Sequence, residues 1–205
     1  MSSLAKGLDL RRPLRSAAEK GFAFVSKGLD DSFRKRLRSE IDAGPFAPFE
    51  EEFGPVKQQI DGYDIAKPMT TFPRTAELFL DLRDLVRRHG REVRGLATWA
   101  PNEAGVAHYV PGSIGITPHL DGKWYRRLVV VVTVYGRSRF AICGSRSTED
   151  VIGERVVGPG DLVFMRGPGL GGARDGRPYH LVEGPKRGER LSLGIRMSGP
   201  GAPDS

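Results

Sequence analysis

His119 and Asp121 stand two residues apart near the middle of the chain, and His180 follows some sixty residues later. In an extended segment residues i and i+2 project from the same face. An imidazole and a carboxylate at that spacing can therefore serve as two ligands of one metal. Two histidines and one carboxylate form the facial triad of non-haem iron(II), which leaves coordination positions open for a cosubstrate and oxygen. Isolated His-x-Asp pairs arise often by chance, and His180 taken alone reads equally well as a core histidine. Arg190, ten residues beyond His180, adds an anion-binding group to the set.

The segment carrying Arg190 has an informative alternation. Leu191, Leu193, Ile195 and Met197 fall on one face of a strand, and Arg190, Ser192, Gly194 and Arg196 on the other. If the chain forms a β-sandwich, the apolar face packs on neighbouring elements and the arginine face lines a cavity with room for an anion. The alternative is a strand whose arginines face solvent. At 3.3 Å per residue the two arginine Cα atoms lie roughly 20 Å apart, a gap that two guanidinium side chains can close on one small dicarboxylate. The stretch GPKRGE at 184–189 reads as a hairpin turn joining Tyr179–Val182 to the arginine strand. Such a hairpin places His180 opposite residue 192 or 193, and only the first register puts it on the arginine face.

The elements that must position these groups follow from periodicity. Residues 14–41 read as helix, strand, helix, with Phe22–Val25 as the strand and Gly21 as the break. Gly44–Pro73, dense in Gly, Pro and Phe, reads as an irregular segment of the kind that forms lids. Thr75–His89 spaces Leu78, Leu82 and Leu85 as an amphipathic helix ended by Gly90. Beyond residue 95, short β-branched runs recur between Gly, Pro and charged turns: 105–109, 113–119, 128–135, 140–143, 155–157, 161–165, 179–182 and 190–197. Regular short strands of this kind predict a barrel or sandwich. Gly167–Gly176 reads as a mobile loop near the mouth of the site.

Composition sets bounds. A chain of 205 residues fits one domain with a sizeable core. The longest apolar run, Leu128–Val132, is far too short to span a bilayer, and the N-terminal residues lack the apolar core of a secretory signal. No membrane span and a cytoplasmic location are the expectations. Cys143 is the only cysteine, which excludes an intramolecular disulfide and a multi-thiolate zinc site. Any metal must rest on nitrogen and oxygen. The net charge of +7 and a pI near 9.8 would suit a polyanion, but the basic residues are scattered among Asp and Glu rather than gathered in blocks.

The stretch PNEAGVAHYVPGSIGITPHLD at 101–121 resembles the segment of AlkB-type 2-oxoglutarate dioxygenases in which an aromatic residue, a turn and an Ile precede the His-x-Asp motif. GDLVFM at 160–165, the glycine-rich loop, His180 and RLSLGIR at 190–196 are similar to that family's distal-histidine region and its Arg-x-Asn-x-Thr-x-Arg strand. The resemblance covers about half the chain. It implies an α+β, mainly β fold: a double-stranded β-helix (jelly-roll) core over 96–198, buttressed by a helical support and lid segment over 1–95, with a tail at 199–205. It further implies Fe(II), 2-oxoglutarate and O2 as cofactor and cosubstrates, His119, Asp121 and His180 as metal ligands and catalytic centre, and Tyr109, Arg190, Ser192 and Arg196 around 2-oxoglutarate. The family's Asn two residues before the Tyr is Ala107 here, and its Asn and Thr between the arginines are Ser192 and Gly194.

Three substrate readings follow. A small molecule or protein side chain would be hydroxylated or demethylated beneath a lid bearing Phe46, Phe49, Phe53 and Tyr63. A nucleic acid would need an aromatic platform and basic path, for which Trp124, Tyr125, Arg126 and Arg127 are candidates; the alternative is that Trp124 and Tyr125 begin the following strand and pack against it. The absence of a continuous basic stripe favours the first reading. The third is a non-catalytic or cupin-like metal-binding module, which would want further ligands near the first motif. His108 is the one nearby, and as the neighbour of Tyr109 in a strand it should face the other way.

Overall fold

The computed structural model describes residues 2–66 and 70–201. Its elements in chain order are α1 (Arg11–Lys20), β1 (Phe22–Val25), α2 (Asp31–Asp42), β2 (Ala47–Pro48), β3 (Glu52–Phe53), β4 (Val56–Gln59), β5 (Asp61–Ile65), α3 (Pro73–His89), β6 (Glu103–Tyr109), β7 (Gly115–His119), β8 (Leu128–Tyr135), β9 (Ser138–Cys143), β10 (Val151–Val157), β11 (Leu162–Arg166), β12 (Tyr179–Val182) and β13 (Arg190–Arg196). The fold is mainly β: two antiparallel sheets with three α-helices. One sheet runs β1-β11-β8-β13-β6-β5-β2 and the other β10-β9-β12-β7-β4-β3.

Each helix has a local cause. Gly21 ends α1 in the left-handed conformation, with its N–H bonded to Ala17. Asp30 caps α2 by accepting from the Phe33 N–H at 2.8 Å, and Pro73 sits at the first turn of α3. Their buried faces, Leu14 and Ala17, then Phe33, Leu37 and Ile41, then Leu78, Leu82 and Val86, pack against one face of the larger sheet. That face presents Leu191, Leu193 and Ile195 of β13 together with Val130 and Val132 of β8. The opposite face of β13 therefore looks into the space between the sheets, which is one of the two arrangements the alternation allowed. A second cluster fills part of that space, with Val129, Val163 and Met165 from the larger sheet meeting Phe140, Ile142 and Val182 from the smaller.

Two expectations are corrected. The stretch from 44 to 66 is not irregular: β5 pairs with β6 from Asp61↔His108 to Ile65↔Ala104, and β4 pairs with β7. Its alternation was obscured because Gly62 and Asp64 occupy the inward positions while Tyr63 and Ile65 join the helix-side core. The expected hairpin between β12 and β13 does not form either. β12 pairs with β7 and β9 in the smaller sheet, whereas β13 pairs with β6 and β8 in the larger. Residues 183–189 thus cross from one sheet to the other, and His180 faces β13 across the interior rather than lying beside it. No helix among the described residues is long and apolar enough to cross a membrane.

Candidate metal centre and anion pocket

His119 closes β7, and in the β7–β12 pairing it stands directly opposite His180. That register brings the imidazoles to a centroid separation of 4.1 Å. Asp121, just past the strand end, places a carboxylate oxygen 4.0 Å from His180 Nε2. One donor atom from each of the three lies within 4.8 Å of the others, and no second such group occurs among the described residues.

Each ring is held by a backbone carbonyl two residues earlier. His119 Nδ1 lies 2.9 Å from the Thr117 carbonyl, and His180 Nδ1 lies 3.3 Å from that of Pro178. A carbonyl only accepts, so the facing nitrogen carries the proton and Nε2 keeps its lone pair. This is the outer-shell arrangement that fixes the tautomer of a metal-ligating histidine. Burial, the neighbouring His180 and other nearby groups leave the His119 pKa at about 4, so the ring is neutral at physiological pH. Burial tends to raise the Asp121 carboxyl, but His180, Arg196, His119 and Arg177 outweigh it and hold the group ionised. Phe140 stacks parallel to His180 at 5.7 Å. Arg177 donates to the Asp121 backbone carbonyl at 2.5 Å and is itself gripped by Asp175 through two bonds of 2.9 and 2.7 Å.

Arg190 enters the interior from the other sheet. It is fully buried and lies 4.9 Å from the centroid of the Tyr109 ring, its register partner on β6. It donates to Ser192 Oγ at 3.2 Å and to Thr133 Oγ1 at 3.4 Å, and its Nε has no partner. Among the described residues no carboxylate lies within ion-pair distance of it. Burial lowers its pKa, against a smaller opposing effect of the Tyr109 hydroxyl. A guanidinium in such a place is costly unless an anion joins it.

Arg196, at the far end of the same face, is differently served. Its Nη1 lies 3.3 Å from Glu103 and 3.6 Å from Asp64, and donates to the Tyr125 hydroxyl at 3.0 Å. Burial works against its charge, but Tyr125, Asp121, Asp64 and Glu103 together raise its pKa. The face therefore has one uncompensated cation, Arg190, and one already shared.

The structure thus brings together His119, Asp121 and His180, and gathers Tyr109, Arg190 and Ser192 into one buried group between the sheets. His108 turns away, as expected: it packs edge-on to Phe46 and lies 3.3 Å from Glu189. The proposed lid does not hold as a unit. Tyr63 is buried with its hydroxyl donating to Ile41, and Phe46 packs on it at 5.1 Å. Phe49 joins the core between the sheets, and only Phe53 is largely exposed. Of the aromatic and basic run after Asp121, Tyr125 is committed to Arg196, and Arg127 donates to the Gly169 carbonyl at 2.7 Å with φ of 69°. Thr133, Glu103 and Asp64 were missed. Thr133 could have been found as the single aliphatic hydroxyl in the run LVVVVTVY; the two carboxylates gave no signal, because nothing local shows that they meet Arg196. A groove of about 1670 Å³ between the N-terminal segment and α3 contains none of these residues.

No family model matches the sequence, and no curated protein matches it. Solved structures do match in fold. A prolyl-4-hydroxylase from Pseudomonas putida is 21% identical, with a TM-score of 0.62 over 94% of this chain and 100% of that one. An oxidoreductase of the 2OG-Fe(II) oxygenase family from Burkholderia pseudomallei is 13% identical, with a TM-score of 0.64 over 97% and 98%. OsALKBH1 is 14% identical, with a TM-score of 0.59 over 86% and 98%. The chain has the fold of 2OG-Fe(II) oxygenases, as the resemblance of its motifs implied.

Proposed function

We propose that the protein is an Fe(II)- and 2-oxoglutarate-dependent dioxygenase, folded as a single domain on a double-stranded β-helix core, with residues 1–95 as support. The observation that carries this reading is the pairing of the His119, Asp121 and His180 donors with Arg190, a fully buried cation that lacks a carboxylate partner. The donor set fits iron(II): two imidazoles whose Nδ1 atoms face carbonyls and leave Nε2 as donor, and one carboxylate, a set of three that would leave other positions open. The pocket fits a dicarboxylate, since a guanidinium can pair with a carboxylate through two parallel bonds. Iron(II), when bound, supplies oxygen activation coupled to conversion of 2-oxoglutarate into succinate and CO2.

The chain's own residues do the rest. His119, Asp121 and His180 hold the metal. Arg190, steadied by Ser192 and Thr133 and backed by Tyr109, anchors the distal carboxylate, and Arg196 forms the wall nearer Asp121. The apolar side chains between the sheets, Phe140, Ile142, Val129 and Val131 among them, keep bulk water from the reacting groups.

The substrate is a small molecule or a protein side chain, which is hydroxylated or oxidatively demethylated. The likeness to a prolyl-4-hydroxylase supports the protein side chain. A nucleic-acid substrate, for which the likeness to OsALKBH1 would speak, is less well supported because Tyr125 and Arg127 are engaged inside the protein rather than offered to a strand. The cupin-like alternative leaves Arg190 without a purpose. The test is succinate formation from 2-oxoglutarate after anaerobic loading with iron(II) and admission of oxygen. Wild type should turn over, even slowly without substrate, and Asp121→Ala and Arg190→Ala should not. A wild type that binds neither iron(II) nor 2-oxoglutarate sinks the reading.

A further inference from the structure

Arg196 is the more exposed of the two inward arginines, its side chain 21% accessible, and a long side chain at such a site has many rotamers to choose among. It nevertheless has a defined place. Its guanidinium carbon lies 4.6 Å from the centroid of the Tyr125 ring, and its Nη1 donates to the hydroxyl of the same tyrosine. Glu103, directly opposite on β6, accepts at 3.3 Å. The guanidinium also folds back along the sheet over Gly105, the β6 residue that pairs with Gly194. A Cβ on Gly105 would stand 2.7 Å from Nη2, closer than real contacts allow, and 3.0 Å from both Nη1 and Asp64 Oδ1, tighter than most, whereas a Cβ on Gly194 would meet Nη2 at an ordinary 3.4 Å. Gly105 has no positive φ, so backbone conformation does not require glycine there. The space taken by the guanidinium, and by the Asp64 carboxylate that lies 3.6 Å from it, does.

We propose that Gly105 and Tyr125 are positioning residues that hold Arg196 folded back against the sheet and so complete the wall of the 2-oxoglutarate pocket beside Asp121; the inference rests on the oxygenase reading above. Gly105 supplies the vacancy and Tyr125 supplies a flat face with one acceptor. Glu103 contributes a third contact, but its negative charge would also repel a dicarboxylate, so its removal gives no clean sign. The neutral pair does. Gly105→Ala pushes the guanidinium off its bed without altering charge. Tyr125→Phe removes the hydroxyl and keeps the ring.

The experiment is anaerobic calorimetric titration of 2-oxoglutarate into Fe(II)-loaded protein, in wild type, Gly105→Ala, Tyr125→Phe, Arg196→Met and the two double variants with Arg196→Met. Gly105→Ala should weaken binding about tenfold and Tyr125→Phe about threefold, as expected for contacting groups and for one charge-assisted hydrogen bond whose donor keeps Glu103 as a second acceptor. Iron(II) affinity should stay within about twofold of wild type, since the metal donors are untouched. Both effects should vanish in the Arg196→Met background, because the residues act only through Arg196. A purely structural role would instead shift thermal stability and leave the dissociation constant where it was. Unchanged affinity in folded Gly105→Ala and Tyr125→Phe overturns the proposal, as do losses that persist at full size without Arg196, or an Arg196→Met variant that binds like wild type. In each of those cases wild type still binds and the oxygenase reading survives. A wild type that does not bind 2-oxoglutarate removes both. If Gly105→Ala does not fold, Tyr125→Phe decides.

Discussion

Arg190 and His119 each stand where burial makes a charge costly. Arg190 is buried without a counter-charge, so removing its charge should relieve a cost rather than impose one. Replacing a buried, unpaired charge by an apolar group of similar length avoids the desolvation penalty. Arg190→Met is expected to raise the thermal midpoint of the ligand-free protein, by about 1 kcal/mol or more of stability, while lowering 2-oxoglutarate affinity about a hundredfold through loss of the charge-assisted pair. Differential scanning calorimetry and titration read the two effects. A lowered midpoint would show that the guanidinium is satisfied in a way the contacts do not reveal. For His119, burial leaves a folded pKa of about 4 against 6.5 for the free side chain. Between those values the unfolded chain takes up a proton that the folded one refuses, so the metal-free protein should lose stability as pH falls from about 6.5 towards 4, by at most about 1.4 kcal/mol per pH unit for this group. His89 is also lowered by burial and adds a slope of the same sign. Denaturant midpoints from pH 7 to pH 5 should therefore fall in wild type and fall less in His119→Gln. Equal slopes would show that His119 is not held neutral.

At the scale of elements, what was legible in the sequence depended on whether the signal was local. β8 and β12 have the expected bounds because uninterrupted β-branched and apolar runs define their ends, and the arginine strand reads correctly because its two faces differ so sharply. The donor set followed from residue type and spacing. The partner of β12 did not, because the turn residues of 184–189 suit a hairpin as well as a crossover between sheets, and only packing decides. β5 was hidden for the opposite reason: its inward positions are Gly62 and Asp64 rather than apolar residues, and only Ile60 stands between β4 and β5, which leaves no turn signal between them. The β7–β12 pairing, which sets His119 against His180, depends on Gly115 at its start. That residue has φ of 73°, and a Cβ there would stand 2.0 Å from the Val182 carbonyl. Gly115→Ala should cost about 2 kcal/mol or more, from a strained backbone together with a forced separation of the strands. It should also weaken metal binding more than an alanine at Gly112, which has a similar φ of 79° but open space around it. Thermal melts and metal titrations of the two variants separate backbone strain, common to both, from loss of strand register, specific to Gly115.

For the whole molecule, the site divides between two layers that share no strand pairing. The metal donors belong to the smaller sheet and its trailing loop, while Arg190, Tyr109, Ser192, Thr133 and Arg196 belong to the larger. The helices pack on the outer face of the larger sheet only, so the smaller sheet depends on the interior contacts and on whatever binds between the layers. On the proposed function, a metal alone would touch one layer, and metal with 2-oxoglutarate would span both. Ligands that bind only the folded state stabilise it by mass action, about 2.7 kcal/mol at a hundredfold excess over the dissociation constant. The regions they reach should gain the corresponding protection from local opening. In amide hydrogen exchange, Mn(II) without oxoacid should slow exchange in β7 and β12 and leave β6 and β13 unchanged. Adding 2-oxoglutarate should then slow β6 and β13 as well, and the second step should be lost in Arg190→Met while the first is kept. Protection of both sheets by metal alone would mean that the layers are already coupled tightly enough to open as one unit. Protection of neither sheet by the pair would place the ligands somewhere other than the interior between them.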